Sequence, residues 1–79
     1  MKPRTIPYGD KNICGRTIER IRKEKGMKQF ELAAKMQLLG VDINCSSLSK
    51  IEGQSRLITD IELLAVSQAL NVEIKELYP

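Results

Sequence analysis

The 79-residue chain has no histidine, no tryptophan and only two cysteines. With Cys14 and Cys45 alone, a four-ligand zinc site built from Cys and His cannot be assembled. Neither thiol has an imidazole to activate it and no glycine-rich phosphate loop is present, so neither an enzyme nor a cofactor or metal is expected. Two cysteines without a signal-peptide pattern fit a reducing, cytoplasmic setting. Aromatic residues are only 4% of a chain that is 42% hydrophobic, so the core must be aliphatic, which suits helices better than strands. No apolar run approaches the ~18 residues of a membrane span. The longest, Leu63-Leu64-Ala65-Val66, reads as the spine of a helix, and no small-molecule ligand is evident.

Positive charge is present and unevenly placed. Residues 1–56 carry twelve Lys/Arg against six Asp/Glu, a local +6, whereas residues 57–79 carry one Lys against four acids, a local −3. Charge gathered in this way points to one face meant for a polyanion, the alternative being ordinary solubility charge.

Residues 1–12 hold two prolines and a glycine and show no helical period, so they read as an arm bearing Lys2, Arg4 and Lys11. Residues 13–79 read as one all-α domain. Asn12 is positioned to cap a first helix running to about Lys25, with Cys14, Ile18 and Ile21 inward and Gly26 as its stop. A second helix spans about Gln29 to Leu39, with Leu32, Ala33 and Met36 inward and Gly40 at its end. Val41 and Ile43 are plugs in the connector, and Asn44 caps a third helix, about Cys45 to Gly53. Thr59 and Glu62 form a capping box for a fourth helix running to Leu70. A fifth, short helix from Ile74 to Tyr78 closes the domain.

The stretch INCSSLSKIEGQSR, residues 43–56, holds four serines around Leu48 and Ile51. Helical spacing puts Leu48 and Ile51 on one edge and Cys45, Ser46, Ser49 and Lys50 on the opposite one. A solvated face usually carries long charged residues. An edge of small polar groups lets something approach closely.

Taken together, GMKQFELAAKM (26–36), SSLSKIEGQSR (46–56) and LLAVSQALNVEIKEL (63–77) closely resemble the Cro and phage-repressor (XRE-like) family of helix-turn-helix DNA-binding domains. The likeness covers roughly residues 13–78, with the helix-turn-helix at about 29–53. It departs from the family in a slightly longer connector between the second and third helices. Lys28 and Glu73 also stand where Ser or Thr caps are common.

The resemblance implies a compact five-helix, lambda-repressor-like domain that binds specific double-stranded DNA as a transcriptional regulator, with repression the expected mode. The third helix would then lie in the major groove, with Cys45, Ser46, Ser49 and Lys50 toward base edges. Gln29, Gln54, Ser55 and Arg56 are the expected phosphate contacts, extended by Lys2, Arg4 and Lys11 of the arm. Arg22 and Glu52 are expected to pair between the first and third helices. The fourth helix carries a surplus apolar stripe of Ile61, Leu64 and Ala65. This stripe either forms a homodimer surface, as a palindromic site would require, or is covered by Ile6 and Tyr8 of the arm. The rival function is a protein-interaction module on the same fold, such as an antitoxin-like partner-binding protein.

Overall fold

A computed structural model describes residues 6–79. Lys2 and Arg4 lie outside them. Four α-helices follow in order, α1 (Gly15–Glu24), α2 (Gln29–Leu38), α3 (Cys45–Glu52) and α4 (Asp60–Leu70), and a single 3-10 turn, Ile74–Leu77, ends the domain. No strand occurs among the described residues. The expected fifth helix is therefore a correction. Tyr78 is extended, as the residue before a proline tends to be, and the 3-10 turn is enough to bury Leu77 completely.

Local chemistry accounts for the helix ends. The Asn44 side chain accepts from Ser47 N–H at the start of α3, and Thr59 and Glu62 complete a capping box on α4. At α2, where Lys28 offers no hydroxyl, Glu31 reaches back to the Lys28 N–H at 3.0 Å, half of the same device. Glu76 does likewise for Glu73 at the 3-10 turn. Gly26 and Gly40 end α1 and α2 at φ 68° and 89°, where any side chain would be strained.

The core is aliphatic: Ile18 of α1, Leu32 and Met36 of α2, Leu48 and Ile51 of α3, Val66 and Leu70 of α4 are fully buried or nearly so. Cys14 belongs to this core, and burial pushes its thiol pKa up, so it stays protonated. α2 packs on α4 and α3, and α1 on α3 and α4. The longer α2–α3 connector is braced internally. Ile43 is buried and its carbonyl accepts from Gln37 Nε2, while Val41 N–H returns to the Met36 carbonyl.

The arm is part of this architecture. Gly9 N–H donates to the Gly53 carbonyl at 2.8 Å and Lys11 N–H to the Gln54 carbonyl at 2.9 Å. Tyr8 sits under Arg16, its ring centroid 5.1 Å from the guanidinium, and its hydroxyl donates to Glu19. The described arm thus runs along the end of α3 and onto α1, so it is not the cover for α4 that was the alternative to a dimer surface.

Candidate nucleic-acid interface

Leu48, Ile51 and Glu52 turn one side of α3 fully inward, which leaves Cys45, Ser46, Ser49 and Lys50 exposed together on the other. The four residues expected to share an edge do so. Cys45 points outward and carries a free thiol at the first turn.

Behind that edge α3 is anchored by charge. Arg22 Nε donates to Glu52 Oε2 at 2.6 Å and a second guanidinium nitrogen to Oε1 at 2.9 Å. This is the bidentate geometry that makes such pairs strong. Gln29 Nε2 adds a third donor to Glu52 at 2.9 Å, and Arg22 also donates to the Met27 carbonyl. One buried carboxylate therefore ties α3 to α1 and to the first residue of α2.

The residues expected at phosphates are placed less simply. The Gln29 amide nitrogen is held by Glu52, and the residue is half-buried at the start of α2. Gln54 adopts φ 59°, and both ends of its side chain are used, accepting from Arg16 N–H and donating to the Gly9 carbonyl. Arg56 grips Glu62 through two nitrogens at 3.1 and 2.7 Å and donates to the Leu57 carbonyl. Ser55 is exposed, its hydroxyl donating to the Lys50 carbonyl at 3.3 Å. Burial acts to raise the Glu62 pKa, yet hydrogen bonds and charge from Arg56 and Thr59 outweigh it and hold the carboxyl below its ordinary value. In the interval between the folded pKa and the ordinary value of 4.5, the unfolded chain binds more protons, so stability falls as pH falls. Thermal unfolding should show this loss setting in below about pH 4.5, and Arg56→Met should flatten it.

Two residues whose contacts with α3 the sequence does not announce complete the frame. Asn12, expected only as a cap, accepts from Gly15 N–H through its oxygen and donates from Nδ2 to the Ile51 and Arg56 carbonyls. Gly15 lies so close to α3 that a Cβ would stand 2.0 Å from the Ile51 carbonyl oxygen. An Asn three residues before a helix Gly was the available signal, but nothing local says that α3 passes there.

On α4, Ile61 is 68% and Leu64 46% exposed. Ala65 is not part of that outer surface. It is 3% exposed and packed in the core, because it lies beside Val66 on the inward side of the helix.

No protein-family model matches the chain, and neither does any curated protein. Solved structures do. The restriction-modification controller protein C.AhdI from Aeromonas hydrophila superposes with a TM-score of 0.72 at 28% identity, over 82% of this chain and 91% of that one. The chain has the fold of a Cro/phage-repressor-type helix-turn-helix domain. The clp gene regulator ClgR from C. glutamicum shares the fold at a TM-score of 0.73 and 22% identity, over 82% of this chain and 78% of that one. In this helix-turn-helix, α2 and α3 are the paired helices and residues 39–44 the turn. No helix among the described residues is long and apolar enough to cross a membrane.

Proposed function

We infer that this chain binds double-stranded DNA in a sequence-specific manner, as a transcriptional regulator and not as an enzyme, with α3 in the major groove. The observation that carries the reading is the exposed Cys45, Ser46, Ser49 and Lys50 edge on a helix whose opposite side is locked by Leu48, Ile51 and Glu52. Small side chains let α3 sink into the groove, serine hydroxyls donate or accept at base edges, and Lys50 reaches guanine O6 and N7. Phosphates are held at the α2 N-terminus beside Gln29, by Ser55, and by Gln54 and Arg56 to the extent that DNA draws them from their present partners. The regulator works as a homodimer through Ile61 and Leu64, which places two copies of α3 on a palindromic site, and repression follows from occupying that site.

Selection against random duplex DNA, followed by fluorescence anisotropy on the enriched site, tests this. With about five phosphate contacts per subunit, a dimer should give a log–log salt slope on the order of −9. Affinity that barely changes between low and moderate salt would remove the DNA reading in favour of a partner-binding module. Lys50→Ala should relax preference at one base pair by roughly 1–3 kcal/mol while leaving the salt slope nearly unchanged. A uniform loss across all sequences would instead place Lys50 on the backbone.

A further inference from the structure

Ile6 is 70% exposed, and it stands at the recognition edge. Together with Pro7 it faces Ser49, Lys50, Gly53 and Ser55 across a groove of about 200 Å³. Its place is determined by the residues that follow. Pro7 has a restricted φ, Tyr8 is engaged by Arg16 and Glu19, and Gly9 is bonded in both directions. The Gly9 N–H donates to Gly53 and its carbonyl accepts from Gln54 Nε2 at 3.2 Å. The close approach at Gly9 is tight, since a Cβ there would lie 2.4 Å from the Gln54 carbonyl oxygen. A large apolar side chain is thereby held in water beside the hydroxyls and cation of a DNA-reading helix.

We propose that Ile6 is a specificity-determining residue, one that contacts the 5-methyl group of a thymine next to the base pair met by Ser49 and Lys50. The inference rests on the DNA-binding reading above. The thymine methyl is the apolar feature that distinguishes base pairs in the major groove, and Ile6 is an apolar residue continuous with the edge that enters it. The strap from Tyr8 to Asn12 supplies the rigidity that such a contact needs, because a freely moving residue would pay ordering entropy on every encounter.

The test uses the full chain and its selected duplex, with thymine replaced by deoxyuridine at one position at a time. At one position the native protein should lose roughly fourfold in affinity, the worth of one buried methyl-sized group. Ile6→Ala should bind the thymine and uracil duplexes alike at that position, with its melting curve unchanged because the side chain is exposed. An Ile6→Ala protein that keeps the native thymine preference everywhere overturns the proposal. So does a preference that survives Ile6→Ala and disappears in Cys45→Ala, which assigns the methyl to Cys45. A loss common to all sequences, with the thymine-to-uracil ratio intact, means that Ile6 touches the sugar–phosphate backbone. Absence of any salt-sensitive duplex binding by the native protein is a different failure, that of the DNA reading itself.

Discussion

Replacing Arg22 with Met should lower the unfolding free energy by about 3–5 kcal/mol, the usual consequence of leaving a buried charge without its partner. Glu52 is fully buried and accepts two hydrogen bonds from Arg22 and one from Gln29, so its charge depends on these donors and not on bulk solvent. A domain of this size has roughly 5–15 kcal/mol of stability in all, and the variant would sit near its unfolding threshold. Glu52→Gln is milder, about 1–3 kcal/mol, because the amide oxygen still accepts one bond while its nitrogen faces the guanidinium. In protein already carrying Glu52→Gln, Arg22→Met should cost much less than in the native chain, since no carboxylate remains to be stranded. A double-mutant cycle by urea unfolding measures that coupling, and strict additivity would mean that the two side chains do not act as a unit. DNA affinity should fall in both single variants, because a loosened α3 no longer presents Ser46 and Lys50 together.

Gly15→Ala should also be severe, and its sign is the informative part. Alanine near the start of a helix is ordinarily favoured over glycine, by up to about 1 kcal/mol. Here the added methyl would meet the Ile51 carbonyl oxygen at 2.0 Å and the Glu52 carbonyl oxygen at 3.0 Å. Both are backbone atoms of α3 that cannot swing aside. α1 and α3 would have to separate, stretching the Asn12 bonds to Ile51 and Arg56 and the Arg22–Glu52 pair at once. Overpacking of this kind typically costs 1–3 kcal/mol, and the upper end or beyond is expected because the clash is with backbone. Urea unfolding of the variant checks this, and a stabilised protein would show that the two helices are less closely apposed than described.

The contrast between these residues shows what was legible in the chain. The apolar spacing of Ile18 and Ile21, of Leu32, Ala33 and Met36, and of Leu48 and Ile51 determines helices and their inward sides. Asn44, the Thr59–Glu62 box, Gly26 and Gly40 mark helix ends to within a residue or two. That spacing also places Cys45, Ser46, Ser49 and Lys50 on one edge, since a helix relates such neighbours by its own geometry.

Tertiary structure decided what depends on contacts distant in sequence. Arg56 reads as a free cation until the fold brings Glu62 against it. Gln54 reads as a phosphate contact with its side chain to spare, yet the arm and α1 take both ends of its amide. Ala65 shares a helical stripe with Ile61 and Leu64 in sequence, yet the packing of α4 turns it into the core and leaves the other two outside. The close approach at Gly15 and the course of the arm beside Ser49 and Lys50 follow from where α3 ends in space, some forty residues from either in sequence. Periodicity in a chain reports which way a residue faces along its own helix. Which partner waits there depends on how the helices are set against one another.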